Sequence, residues 1–226
     1  MNKENKFKDN TYLEVTYGHK EFTSYPSQLA KHLFEKYDLK SKSKILDLGC
    51  GRGEFLRGFI DCGMQGYGFD MSDSAKNLCH DAEIKVGDLN ERLPYDDNFF
   101  DVIYSKSVIE HLYYPEKITI EANRILKPGG LIITMCPNWE YFIKDFWDDF
   151  THRCPFTKNS LMEVHKYAGF RDVEVSNFIQ LPIIWKYEFL KPLTFLARNL
   201  IPDKIKMKSK FIRFSKEIML IATAFK

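Results

Sequence analysis

The chain carries almost no net charge. Its 33 lysines and arginines stand against 31 acids in 226 residues, a balance of +2. No global field therefore points to a nucleic-acid partner, and none is expected. A C-x-x-C pair is missing. The five cysteines (50, 62, 79, 136 and 154) are odd in number and scattered, the pattern of free thiols in a reducing compartment. No apolar run approaches the roughly 20 residues that span a bilayer, and the polar first ten residues hold no signal core. The cytoplasm is the expected location, without a transmembrane segment. An evident metal-ligand set is absent too. His152-Arg153-Cys154 makes one corner of such a set, but no second ligand pair accompanies it. No metal is expected, and activity should survive EDTA.

What is present is a chain 44% hydrophobic and 15% aromatic, enough for one sizeable core. Its organising stretch is ILDLGCGRGEF, residues 45–55. A short apolar run ends on Asp47 and Leu48. Gly49, Gly51 and Gly53 follow at alternate positions, and then a helix is expected. This reads as a buried strand, a tight turn and a helix N-terminus. Glycines let the backbone approach a ligand closely. The helix start offers free N–H groups and the positive end of a dipole. Dinucleotide sites use G-x-G-x-x-G. The G-x-G-x-G spacing here departs from that, and an ordinary glycine turn is the plain alternative.

Along the chain, residues 1–23 are polar with interspersed aromatics, either a flap over a site or a ragged end. Leu29, Leu33 and Tyr37 recur every four residues, which predicts an amphipathic helix over 24–37 with Ser24 as N-cap. Strands are expected near 44–48, 66–70, 83–87, 99–104, 130–135, 173–178 and 217–225. Helices are expected over 54–61, 72–80 and 115–126, the last opened by Pro115 and stopped by Lys127-Pro128-Gly129-Gly130. Alternation of strand and helix predicts a mostly parallel sheet with helices on both faces. Ligands of such sheets sit at the carboxyl ends of the strands, where Asp47, Asp70 and Asp88 fall. A carboxylate at the end of the second strand suits ribose hydroxyls.

Four blocks, LDLGCGRG, GYGFDMS, GDLNERLPYDDNFFDVIYSKSVIEHL and RILKPGGLIITMCPN, cover about residues 42–136. Together they resemble class I S-adenosylmethionine (AdoMet) methyltransferases of the methyltransferase-11/12 type. The resemblance implies a Rossmann-like α/β fold with a seven-stranded, mostly parallel sheet of order 3-2-1-4-5-7-6. It implies that Gly49, Gly51 and Gly53, after Asp47, hold the amino-acid end of AdoMet. Asp70 takes the ribose, Met71 lies against the adenine, Asp88 and Leu89 meet the adenine edge, and Ser105 lies near the methionine moiety. S-adenosylhomocysteine is the implied product. The D-x-T-H…P-F-T…S-L…A-G-F run over 149–170 is similar to methyltransferases encoded with bacterial surface-polysaccharide pathways. The division this implies is an N-terminal flap and helix over 1–40 and a methyltransferase domain over 41–226. An insertion at about 179–216 precedes the last strand.

The remaining candidates keep two readings each. His111 and His152 follow the fourth and fifth strands, as acceptor contacts or general bases, or as structural histidines bonded to carbonyls. Asp149 orients one of them or caps a helix. Tyr17, Tyr25 and Asp149 are candidate acceptor contacts. His19, His32, His80 and His165 lie in polar stretches and are expected on the surface. Trp139, Tyr141, Phe142, Phe146 and Trp147 pack a core or form a lid. The insertion is apolar with two prolines, then basic, with six cationic residues against Asp203 over 203–216. It suits a lid or homodimer contact, or a membrane face, which the prolines disfavour. The expected reaction is methyl transfer to a small acceptor, a hydroxyl of a sugar or sugar nucleotide. A small amine, an RNA and a non-catalytic scaffold are the alternatives.

Overall fold

The computed structural model describes residues 21–143, 145–202 and 209–226. Tyr17 and His19 lie outside the described residues, as does most of the stretch expected as a flap. The chain divides into two compact units, Met1–Leu93 and Pro94–Lys226. The seven strands, counted in chain order, lie in the order 3-2-1-4-5-7-6, the order the resemblance implies.

The first unit contains α1 (Tyr25–Lys36), β1 (Lys44–Leu48), α2 (Glu54–Asp61), β2 (Gln65–Asp70) and β3 (Glu83–Val86). β1 pairs with β2, and β2 with β3, both in parallel. Nearly every residue of β1 is buried, as an apolar run covered on both faces requires. Leu29, Ala30 and Leu33 form the buried stripe of α1. Ser24 holds the N-cap position, but its hydroxyl accepts from the Gln28 side chain at 3.0 Å and not from a helix amide. The helix expected over 72–80 is only a 3₁₀ turn, Ser74–Asn77. Local bonds compete with it: the Ser72 amide donates to Asp70 Oδ1 at 3.0 Å, and Ser72 Oγ accepts the Ser74 amide at 3.2 Å.

The second unit contains β4 (Phe100–Lys106), α3 (Pro115–Ile125), β5 (Leu126–Pro137), α4 (Trp139–Phe142), α5 (Lys158–Tyr167), β6 (Arg171–Phe178), α6 (Pro182–Lys186), α7 (Lys191–Leu200), α8 (Lys210–Lys216) and β7 (Met219–Phe225). β4 and β5 run parallel, and β7 lies antiparallel between β5 and β6. Pro115 opens α3 as expected. Residues 127–130 do not form a free loop. They are taken into β5 as an irregularity, with Phe100 opposite Leu126 and Val102 already opposite Leu131. Ile109, Cys136, Phe156, Leu161, Leu220 and Ala222 close the core of this unit. In the insertion, Pro182 and Pro192 sit in the first turns of α6 and α7. They open helices, where a missing N–H costs nothing, and do not interrupt one. Leu193, Phe195, Leu196 and Leu200 of α7 remain exposed.

His165 corrects the surface assignment. It is fully buried on α5, its Nδ1–H donating to the Leu161 carbonyl at 2.8 Å and Nε2 accepting from Thr134 Oγ1 at 2.9 Å. Burial lowers its pKa to about 4. The unfolded chain, near 6.5, binds a proton there that the folded chain refuses, so stability falls as the pH drops from about 6.5 to about 4. Urea unfolding of His165→Gln should show a flatter loss of stability across that window than wild type. An unchanged slope would remove His165 as a contributor.

Candidate functional site

In the first unit the glycine turn joins β1 to α2. Gly49, Gly51 and Gly53 have φ of 76°, 50° and 82°, the left-handed region. At Gly53 an added Cβ would stand 3.1 Å from Ala75 Cβ and 3.0 Å from Cys79 Sγ. Both the angle and the space demand glycine there. Asp70, at the carboxyl end of β2, reaches back to this turn. Its Oδ2 accepts the Gly51 amide at 2.9 Å, while Oδ1 accepts the Ser72 amide. Asp47 is 2% exposed. Burial first, and the Asp70 charge second, push its pKa up to about 8. Met71 is 48% exposed beside Asp70, and Leu89 is buried. Asp88 is exposed and holds Asn90 through its amide and side chain, both at 2.8 Å. Tyr25 meets Phe55 edge-to-face at 6.4 Å, and burial raises its pKa.

In the second unit β4 ends at Lys106, and Ser107 adopts φ 57°. Ser105 is buried opposite Thr134 of β5. The chain then makes a 3₁₀ turn, Ile109–His111. The stretch after α4 returns to that turn: the amides of Arg153 and Cys154 donate to the Glu110 carbonyl at 2.7 and 3.0 Å. This docking brings His152 to His111, with ring centroids 4.7 Å apart. The hydroxyl of Thr151 donates to Asp149 Oδ1 at 2.6 Å and bonds His111 Nδ1 at 2.9 Å. A hydroxyl has one proton, so the imidazole Nδ1–H is the donor to it. His152 Nδ1–H donates to the Phe146 carbonyl at 2.6 Å. Both rings are therefore held in the tautomer that puts the lone pair on Nε2.

The electrostatics match. Burial, then the neighbouring His152, lowers the His111 pKa to about 4, keeping the ring neutral. Burial opposes the charge of Asp149, but the Thr151 hydroxyl and amide hold its pKa below the usual carboxylate value. Glu110 is 1% exposed, and burial pushes its pKa up to about 8. Among the described residues, one atom each of Glu110, His111 and His152 lies within 4.8 Å of the others, a set with metal-ligating chemistry.

Two units that present a glycine turn with acidic strand ends, and a histidine pair beyond β4, have known relatives. The family described as "Methyltransferase domain" matches residues 7–175. The chain belongs to the class I AdoMet-dependent methyltransferases. The probable methyltransferase ltbC of Aspergillus luteorubrus is 31% identical over 115 residues, 42% of this chain and 40% of that protein. An uncharacterized protein of Methanocaldococcus jannaschii is 28% identical over 147 residues, 61% of this chain and 69% of its own length. The chain thus spans about two fifths of the length of the first of these relatives. A SAM-dependent methyltransferase from Archaeoglobus fulgidus superposes with TM-score 0.65 at 24% identity, covering 96% of this chain and 99% of that one. A structure of the Haloferax volcanii Trm112 activator with a putative methyltransferase gives 0.71 at 20% identity, covering 96% and 95%. At these identities the likeness shows the fold alone.

For a class I methyltransferase, the structure brings Asp47, the three glycines and Asp70 together in the first unit, and His111, His152 and Asp149 in the second. Tyr25 stands at the start of α1, in the first unit. Of the aromatic cluster, Phe146 is buried and packs at a tilt against His152, ring centroids 4.4 Å apart, while Trp147 is 57% exposed and Tyr141 is exposed. The Phe142 side chain lies outside the described set. Sequence reasoning missed Glu110 and Thr151. Each directly precedes a histidine it did single out, and that adjacency was the available signal. No helix among the described residues is long and apolar enough to cross a membrane.

Proposed function

We propose that the protein transfers a methyl group from AdoMet to a hydroxyl of a small acceptor, a sugar or sugar nucleotide destined for a surface glycan. The observation that carries methyl transfer is the Asp70–Gly51 bond, which fixes a left-handed glycine turn between two acidic strand ends inside a matching family domain. AdoMet's methyl is already activated by its sulfonium. The protein has to align nucleophile, methyl and sulfur and exclude water. The glycine turn, Asp70, Met71, Asp88, Leu89 and Ser105 are the proposed cofactor contacts. His111 and His152 act on the acceptor hydroxyl, with Asp149 holding His111 in place through Thr151. A sugar hydroxyl is a poor nucleophile at neutral pH, and the neutral His111 ring, beside a second imidazole whose tautomer is also fixed, suits that need better than it suits an amine. The 149–170 resemblance favours a glycan acceptor. All five cysteines are free thiols, which fits a reducing, cytoplasmic setting. Mass spectrometry of sugar nucleotides incubated with the protein and AdoMet tests the reading. It should find one added methyl on oxygen; a methyl on nitrogen would overturn the hydroxyl assignment.

Asp47 supplies a pH test of the same site. AdoMet carries an ammonium and a sulfonium against a single carboxylate, so it binds as a cation. A buried acid with a pKa of about 8 is protonated at neutral pH in the free protein, and a bound cation draws off that proton. AdoMet affinity should therefore rise with pH up to about 8. Calorimetry at pH 7 in buffers of different ionisation enthalpy should detect proton release, and Asp47→Asn should abolish it. The folded acid also holds a proton that the unfolded chain has lost, so this residue's contribution to stability falls as pH rises from about 4 to about 8. Buffer-independent heats in wild type would contradict the cation's placement.

A further inference from the structure

Methyl transfer by itself leaves one feature of the second unit unexplained. Glu110 is 1% exposed, and among the described residues neither of its carboxylate oxygens has a hydrogen-bond partner of ordinary geometry. Buried polar groups without partners are rare and costly, and a carboxylate is the costliest. The nitrogens of His111 and His152 share its surroundings, all three atoms within 4.8 Å. Both rings are prepared as metal ligands are. A carbonyl holds Nδ1–H of His152 and a carboxylate-backed hydroxyl holds that of His111, which leaves each Nε2 as the Lewis base. Cys154, nearby in sequence, is not part of the set: its thiol donates to the Leu112 carbonyl at 3.2 Å.

We propose that Glu110, His111 and His152 form a site for a divalent first-row transition ion of the Mn²⁺, Fe²⁺ or Zn²⁺ kind. Two imidazoles with one carboxylate suit these ions, whereas Mg²⁺ and Ca²⁺ favour oxygen ligands throughout. Bonds of about 2.0–2.2 Å ask the three atoms to draw together on binding. Three protein ligands leave coordination positions open. Resting on the proposed hydroxyl methylation, an open position takes the acceptor oxygen. The ion lowers the hydroxyl's pKa and its proton passes to solvent. The oxygen lone pair forms the new carbon–oxygen bond, and the electrons of the carbon–sulfur bond return to sulfur as a neutral thioether. The expectation of activity in EDTA is thereby reversed.

The untagged full chain, stripped with EDTA and dialysed, tests this without any acceptor. Electron paramagnetic resonance counts free Mn²⁺ during titration, calorimetry follows Zn²⁺, and AdoMet binding and circular dichroism are measured on the same samples. Wild type should take up one ion per chain. Glu110→Gln and His152→Asn should lose that uptake while still binding AdoMet. Thr151→Val, which removes the hydroxyl that links His111 to Asp149 and replaces none of the three ligands, should weaken it by roughly 10–100-fold and serves if a ligand variant fails to fold. Absence of uptake by wild type, or uptake by folded Glu110→Gln equal to wild type, would overturn the site. AdoMet binding in that same sample would leave the methyltransferase reading intact. Ion uptake without AdoMet binding would keep the site but remove its role in methyl transfer.

Discussion

His111→Asn is expected to lower kcat by roughly 10²–10⁴-fold, the usual contribution of a positioned acid–base group, with AdoMet affinity nearly unchanged. The substitution is chosen for its geometry. The asparagine amide can still donate toward Thr151, so the Asp149–Thr151 link keeps a partner on the turn after β4. What disappears is the lone pair of Nε2, which takes the hydroxyl proton or, where an ion is bound, holds that ion. His152→Asn should behave alike, since its Nδ1–H bond to the Phe146 carbonyl is also reproducible by an amide. A loss confined to KM would place the histidines in acceptor binding. Full activity in both variants would remove them from the chemistry and make an amine, nucleophilic without help, the better acceptor class.

Asp70→Ala is expected to weaken AdoMet binding by on the order of 1.5–3 kcal/mol, roughly ten- to hundredfold, by removing a charge-assisted acceptor. Two effects combine. The carboxylate is the proposed partner of the ribose hydroxyls, and it already holds the amides of Gly51 and Ser72. Alanine leaves those amides to water and frees the turn. Asp70→Asn separates the effects, because its carbonyl oxygen can keep one amide while the charge is gone. An affinity close to wild type for asparagine and a large loss for alanine would show that Asp70 acts by shaping the turn. Unchanged calorimetric affinity in both would count against the assignment altogether.

The parts of the molecule legible in the sequence are those where local chemistry and fold agree. The run from Lys44 to Leu48 is a strand because it is apolar and flanked by a turn, and Pro115 opens a helix wherever it falls in one. The glycine spacing announced left-handed backbone at three positions, and all three adopt it. The misses came where tertiary structure overrode local pattern. Residues 72–80 have helical composition, but Asp70 and Ser72 capture the amides such a helix would start from. Residues 127–130 look like a loop, but they run within β5 as an irregularity between its pairings with Phe100 and Val102. His165 sits among polar neighbours in sequence, yet its face of α5 is turned inward, toward Thr134 of β5. Glu110 carries only a weak signal, its place before His111, for a related reason. Its meaning depends on residues 149–154 returning to its carbonyl, a contact no period or spacing encodes.

The central claim is that this chain binds AdoMet through the glycine turn and the acidic strand ends. Calorimetric titration of the full chain with AdoMet and with S-adenosylhomocysteine tests it most directly. The account predicts saturable binding of one molecule per chain for both ligands, weakened in Asp70→Ala and abolished or nearly so by a bulky residue at Gly53, where a Cβ already meets Ala75 and Cys79. Absence of binding by a folded wild-type chain, or equal binding by the folded Gly53 variant, would contradict it.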